Sequence, residues 1–431
     1  MIEDYIRKPS SRFLTGEDAI VLKNRVPSYD ELRRKFREID EVGIYLHIPF
    51  CDQICPYCPY NKELYQPDIA RKYAVAVKNE INLYADIVGN RTVTSLYIGG
   101  GTPTTMLKSG LEEILAHLYD TFNMHCDIHM ESHPDHLSSD NLDTLVALGV
   151  KYLSIGVESL QDRHLRTLRR PYTTKEVKKA VNRAVGKNFK CVNADFIFAL
   201  PTQTYDEIEQ AGKTLVEMGV NQIAAYPLFK FPYTKMGSDG REIIFKTSTI
   251  LKRRKMLGIL EDIFYDAGFD RTSVWAFTKK GIPKYCSVTV PLYVGLGASG
   301  GSYLKDIFYL NTFHIQEYIN ALENGGMAVA LALDLSEKMQ MAGWLYWRIY
   351  ETLFTKKAFK KRFGQDFDSV YGKYMKLLAL LGFLKDDGEQ IVLSDRGTYW
   401  LHAFEDVFSI DYISTLWGTS KQEPWPENVM L

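Results

Sequence analysis

From residue 43 the chain alternates, six times over, between a short apolar run and a longer run of helical periodicity. The short runs, at 43–48, 95–99, 127–132, 151–157, 190–199 and 221–228, are rich in Ile, Val, Leu, Phe or Tyr. Each stops near Gly, Pro or a charged residue, as strands do. Helical patterns occupy about 68–88, 109–122, 139–148, 174–187, 205–218 and 246–267. Ser138-Ser139-Asp140 and Thr204-Tyr205-Asp206-Glu207 place capping hydroxyls and acids at two helix starts. Parallel strands joined by helical crossovers account for such an alternation. The sequence therefore predicts an α/β fold, a parallel sheet curled into a partial (β/α)6 barrel. A full eight-unit barrel is the rival, but residues 270–310 do not continue the alternation.

Three segments are expected. Residues 1–42 are polar, with Pro9, Pro27 and a basic run at Arg33–Arg37, and read as an arm laid over a domain. Residues 43–310 form the barrel and a closing segment. Residues 325–431 form a mostly helical, winged-helix-like domain, with helices at 334–354, 356–363 and 366–381, a turn at Asp386-Asp387-Gly388 and a helix at 398–408. Trp344, Tyr346, Trp347 and Tyr350 and the lack of a basic stripe favour a lid or substrate-side role over DNA binding. The tail from Leu416-Trp417 to Pro424-Trp425-Pro426 reads as irregular, either capping the barrel mouth or packing on the surface.

A net charge of -1 gives no electrostatic footprint for nucleic acid. No run reaches the roughly 18 apolar residues of a membrane span. The N-terminus has neither a basic head nor an apolar signal core. Six cysteines in 431 residues do not make a disulfide scaffold. A cytoplasmic, monomeric protein is expected.

The loop after the first strand reads His47-Ile48-Pro49-Phe50-Cys51-Asp52-Gln53-Ile54-Cys55-Pro56-Tyr57-Cys58. Three thiolates on one short loop can hold three irons of a [4Fe–4S] cubane and leave the fourth open, which suits a cluster that binds a small molecule. Zinc is the alternative for such spacing. It needs a fourth ligand, usually from a second cysteine hook, and Cys126, Cys191 and Cys286 are isolated.

Parallel barrels gather their active sites at the carboxyl ends of strands. The cysteine loop follows strand one, and Gly99-Gly100-Gly101-Thr102-Pro103-Thr104 follows strand two. Glu131 ends strand three, Glu158 ends strand four, Asp195 lies in strand five and Tyr226-Pro227 ends strand six. The glycine triplet predicts backbone N–H groups free to approach an anionic ligand. Tyr45 is a core or catalytic residue, and Tyr57 is placed to pack on a ligand ring. His125, His129, His133 and His136 look like a metal cluster, but alternation along a strand keeps them from converging. His47 is expected to support the cluster loop from behind.

This loop resembles that of the radical S-adenosylmethionine (SAM) superfamily. Tyr45-Leu46-His47-Ile48-Pro49-Phe50-Cys51 resembles, within it, the oxygen-independent coproporphyrinogen III oxidases and their relatives. The resemblance spans most of 43–310. It implies a [4Fe–4S] cluster on Cys51, Cys55 and Cys58, and SAM chelating the open iron. It places Gly100, Gly101, Thr102, Glu131, Glu158, Arg170, Asp195, Pro227 and Gly301 against SAM, with Arg170 on a carboxylate and Asp195 on a ribose. One electron, from a reductase such as flavodoxin or ferredoxin, would cleave the sulfonium, and the adenosyl radical would take hydrogen from a tetrapyrrole. Relatives that use a second SAM for methyl transfer or haem opening, and haem chaperones, are the alternatives. One position departs from the oxidases: Tyr60 stands where they carry a further cysteine, although Asn61-Lys62 are kept.

Overall fold

The structure, a computed structural model, describes residues 20–238, 247–285 and 291–431. Pro9 and Cys286 lie outside the described residues. Six strands, β1 (Glu41–Ile48), β2 (Thr92–Gly100), β3 (Ile128–Ser132), β4 (Val150–Glu158), β5 (Cys191–Phe198) and β6 (Gln222–Pro227), pair in chain order, each parallel to the next. They follow the predicted runs, with ends displaced by a few residues in either direction.

Six helices alternate with them: α1 (Pro67–Val88), α2 (Leu111–Thr121), α3 (Ser139–Ala147), α4 (Thr174–Val185), α5 (Tyr205–Glu217) and α6 (Thr247–Asp266). Capping boxes start two of them, Thr173 with Glu176 at α4 and Thr204 with Glu207 at α5, satisfying orphan N–H groups at both ends of the box. The strands are buried on both faces, hence their near-continuous apolar runs.

After β6 the sheet turns antiparallel. Phe269–Arg271 and Ala276–Lys279 extend it beyond β6. On the other side β7 (Tyr293–Leu296) lies parallel to β1, and β8 (Gly301–Leu304), β9 (Ile307–Asn311) and β10 (Val329–Asp334) follow antiparallel. Among the described residues the two edges of this sheet do not pair with each other, so the barrel is open.

The segment before β1 does more than lie on the surface. Val21–Lys23 pairs with β10 and with Asn428–Met430, and the helix Tyr29–Phe36, capped by Ser28, buries Leu32 and Phe36. Downstream lie α7 (Ile315–Glu323), α8 (Glu337–Tyr350), α9 (Lys356–Phe363), α10 (Phe367–Leu380) and α11 (Asp395–Gln422). Leu353–Thr355, Leu384–Asp386 and Gln390–Leu393 form a three-stranded sheet beside α9 and α10. The aromatic run in α8 divides: Trp344 packs among Phe354, Phe359, Phe363 and Phe367, while Trp347 stays exposed beside Tyr346 and Tyr350. The tail is irregular only in part, at 423–427. Residues 416–422 continue α11, which tolerates Gly397 and Gly418 and ends before Pro424.

One buried acid ties helix to sheet. Glu80 of α1 accepts from Gly297 N (2.7 Å), Asn311 Nδ2 (2.7 Å) and Tyr318 Oη (2.7 Å). Burial pushes its carboxyl up to about 7 against the pull of those donors. The folded chain keeps this proton where the unfolded chain gives it up. Stability contributed here is therefore lost as pH climbs from 4.5 to about 7, and regained on acidification through that window. Glu80→Gln cannot ionise, and it should flatten that part of the profile in urea unfolding compared at about pH 5 and about pH 7.

Candidate active site

The carboxyl ends of β1–β5 face one chamber. Cys51 sits at the end of a two-residue strand, Phe50–Cys51, that pairs with Glu63–Leu64 and folds the loop back over the barrel. Cys51 is buried, and Thr102 Oγ1 donates to its sulfur at 3.5 Å. Cys55 and Cys58 are half-buried. Burial pushes the Cys51 thiol up to about 12, and the nearby Cys58 and Cys55 raise it further. Burial raises the Cys55 thiol as well, so metal binding to these thiols releases protons. Among the described residues no three His, Cys, Asp or Glu side chains gather closely enough to ligate one metal ion. A cubane needs a different arrangement, one thiolate at each of three separate irons, and this donor set fits that group.

The loop is braced from several sides. His47 Nε2 meets Asn61 O at 2.9 Å, and Tyr45 Oη meets His47 Nδ1 at 2.8 Å. Asn61 Nδ2 donates to Phe313 O (2.7 Å) and Met236 N to Pro56 O (3.0 Å). Lys62 Nζ donates to Cys58 O (2.6 Å) and Tyr60 O (3.1 Å). Lys421, in the last turn of α11, donates to Pro59 O (2.9 Å) and Tyr60 O (3.2 Å).

Facing the loop are Glu131, Glu158 and Asp195. Glu131 accepts from Tyr97 Oη (2.6 Å) and Gly100 N (3.1 Å). Asp195 accepts from Ser154 Oγ (2.6 Å) and Asn193 Nδ2 (2.9 Å). Glu158 pairs with Arg170, both nearly buried, and holds a left-handed backbone (φ 62°) at the end of β4. Non-glycine residues adopt that conformation at a cost, and it turns Glu158 inward onto its partner. Burial first, then mutual repulsion among these acids, raises Glu131 and pushes Asp195 up to about 7. The chamber thus holds more negative charge than its one guanidinium offsets. A ligand carrying positive charge and a carboxylate complements it.

The glycine triplet has another explanation than the one its sequence suggests. Gly100 N is taken by Glu131, Gly101 N donates to Ile48 O (2.7 Å) and Thr102 N to Phe50 O (2.7 Å), so these N–H groups are not free for an anion. A Cβ on Gly100 would lie 2.5 Å from the His47 ring, and one on Gly101 2.7 Å from Phe50 O. The triplet lets the end of β2 pass beneath the cysteine loop. Gly301 packs against Phe308 and Leu310 between β8 and β9, and Pro227 ends β6 opposite Phe198. Tyr57 packs with Leu168, Ile197 and Leu228, and the Arg170 guanidinium lies over its ring at 5.9 Å. It is a wall for Arg170.

The four histidines do not converge on one point, although the His133 and His136 rings lie 5.7 Å apart beyond the end of β3. His136 bonds Asp52 (2.6 Å) and Thr104 (2.8 Å), His129 stacks on Tyr152 at 4.0 Å, and His125 bonds Asn123 at 3.0 Å. Below the carboxylates, Tyr45, Tyr97, His129, Tyr152 and Cys191 are consecutive cross-strand partners on β1–β5. This row floors the chamber, and Tyr285 Oη donates to Tyr97 Oη at 2.8 Å. Sequence reasoning missed Tyr97, Ser154, Asn193, Trp417 and Lys421. Ser154 and Asn193 were within reach of it, since each lies two residues from a face-matched neighbour along its strand.

Comparison with known proteins agrees with this geometry. Residues 45–215 match the radical SAM superfamily. The Heme chaperone HemW of Bacillus subtilis is 25% identical over 361 residues, 82% of this chain and 95% of that one. The oxygen-independent coproporphyrinogen III oxidase of Salmonella typhimurium is 25% identical over 316 residues, 68% of each chain. The coproporphyrinogen III oxidase structure from Escherichia coli covers 92% of this chain and 95% of its own, at a TM-score of 0.75 and 20% identity, a likeness of fold. No helix among the described residues is long and apolar enough to cross a membrane. Residues 45–215 thus carry the match to the radical SAM superfamily, and over most of its length the chain is similar to haem chaperones and coproporphyrinogen oxidases.

Proposed function

We propose that this protein binds SAM at a [4Fe–4S] cluster held by Cys51, Cys55 and Cys58 and uses it on a tetrapyrrole, as an oxidase-like enzyme. The supporting observation is the chamber itself: the thiol loop faces Glu131, Asp195 and the Arg170–Glu158 pair across the carboxyl ends of five parallel strands. When bound, the cluster supplies the electron that cleaves the sulfonium. Arg170 is the group for the SAM carboxylate, since a planar fork suits it. Asp195, held by Ser154 and Asn193, is the acceptor for ribose hydroxyls. Glu131, fixed by Tyr97 and Gly100 N, is the acceptor for the amine. The loop's backing by His47 and Asn61 helps keep water from the reacting groups.

Tyr60 bears on the choice of reaction. It stands where the oxidases have a cysteine. Its ring lies 5.9 Å from that of Trp417, and its phenol is raised by burial first and then by Glu131, Cys58, Asp195 and Glu158. That exchange, together with the long match to the haem chaperones, favours haem carriage as the second reading.

The test is anaerobic reconstitution followed by incubation with SAM, a reductant and a panel of porphyrins and haem. Mass spectrometry reads SAM cleavage and product. Cleavage coupled to a changed porphyrin supports the enzyme; haem retained without cleavage supports the carrier. If no tetrapyrrole is bound or changed, the proposal fails, and a second-SAM methyl transferase takes its place. Tyr60→Cys should raise any decarboxylation of coproporphyrinogen measured in the same assay.

A further inference from the structure

At the chamber mouth two ammonium groups share one acceptor. Lys62 and Lys421 both donate to Tyr60 O, at 3.1 and 3.2 Å, and each spends a second donor on a neighbouring carbonyl. An ammonium has three N–H donors, so each keeps one. Neither has a carboxylate partner among the described residues. Burial first, then the charge of Lys62, pushes the Lys421 ammonium down to about 8, with Cys58 pulling the other way. Aromatic rings surround them. Lys421 stands over the Tyr233 ring at 4.7 Å, Tyr60 lies by Trp417 at 5.9 Å, and Trp417 by Phe313 at 6.1 Å. Both cations are fixed to the backbone, one from the loop and one from a helix more than 360 residues away in sequence. They are therefore preorganised, and little entropy is lost when an anion arrives.

We propose that Lys62 and Lys421 form a carboxylate-binding site at the chamber mouth, selecting a flat aromatic ligand that carries carboxylate side chains. This rests on the tetrapyrrole reading above and adds which feature of the ligand is recognised. The carboxylate takes the spare N–H of each lysine, and the macrocycle lies against Tyr60 and Trp417.

The experiment uses the full-length, cluster-reconstituted protein under anaerobic conditions, with a porphyrin tetracarboxylate and its tetramethyl ester as probes. Quenching of tryptophan fluorescence reads affinity. The acid is expected to bind more tightly than the ester, and added salt to weaken the acid alone. Lys62→Met with Lys421→Met should lower affinity for the acid about tenfold or more and leave the ester unchanged. Lys62→Arg with Lys421→Arg should retain the preference. Equal binding of acid and ester by the wild type overturns the site and leaves the tetrapyrrole reading standing. Unchanged acid affinity in the double Met variant, or a shift only in the cluster's midpoint potential, also overturns it. Failure of both probes to bind removes the tetrapyrrole reading and this site with it. If the Met variant does not assemble, the salt series on the wild type decides.

Discussion

Changing any one of Cys51, Cys55 or Cys58 to Ala is expected to abolish the cluster. Reconstituted wild-type protein should contain about four irons and four sulfides per chain, and each variant should lose the broad visible absorption with most of its iron. The effect is large because no spare cysteine is at hand among the described residues. Cys126 lies just before β3, outside the cysteine loop, and Cys191 is in the chamber floor at the start of β5. Cys126→Ala is the control and should assemble normally. Loss of the cluster in that variant, with retention in Cys55→Ala, would sink the ligand assignment.

Arg170→Ala carries the second-largest expected effect, and it acts twice. Glu158 would be left as an uncompensated buried carboxylate, and breaking such a pair costs about 3–5 kcal/mol of stability. The group proposed for the SAM carboxylate would also vanish, a further loss of about 1.5–3 kcal/mol in binding, or roughly tenfold and more. A second change separates the two. Arg170→Ala with Glu158→Gln should recover much of the stability in thermal unfolding, because the stranded charge is gone. It should recover none of the SAM affinity measured by calorimetry. Iron content should hold in both variants. Asp195→Ala should weaken SAM in the same way, with little cost to the fold. Unchanged affinity in both Arg170→Ala and Asp195→Ala would contradict these assignments.

The parts of this molecule legible in the sequence are those fixed by local pattern. Each barrel strand announces itself by an apolar run, and Thr204 with Glu207 announces the start of α5. The rim rule alone brought the cysteine loop, Glu131, Glu158 and Asp195 together. What escaped depends on pairing between distant segments. Whether the N–H of Gly101 is free is decided by Ile48 O, on another strand. The floor of Tyr45, Tyr97, His129, Tyr152 and Cys191 exists only because four registers align, and a slip of one residue would turn a member of it outward. Val21–Lys23 has too few residues to show a period, and its partners lie beyond residue 330 and in the tail. Trp344 is buried among phenylalanines while Trp347 stays exposed, a division that helical spacing alone does not tell.

The long helix α11 works as a ruler. It runs 28 residues, about 42 Å, from Asp395 beside the small sheet to Lys421 on the carbonyls of the cysteine loop. Both ends are pinned. Asp395 accepts from Tyr265 Oη at 2.6 Å and from Arg271 Nε at 3.0 Å, and just past the helix Asn428–Met430 is zipped onto Val21–Lys23. Adding one residue in the middle would turn everything beyond it by about 100° and advance it by about 1.5 Å, carrying Lys421 and Trp417 off Tyr60 together. Surface turns such as Asp386-Asp387-Gly388 can change length freely. Between residues 395 and 422 the chain constrains the number of residues as strictly as it constrains the few side chains, Asp395, Trp417 and Lys421, that pin the two ends.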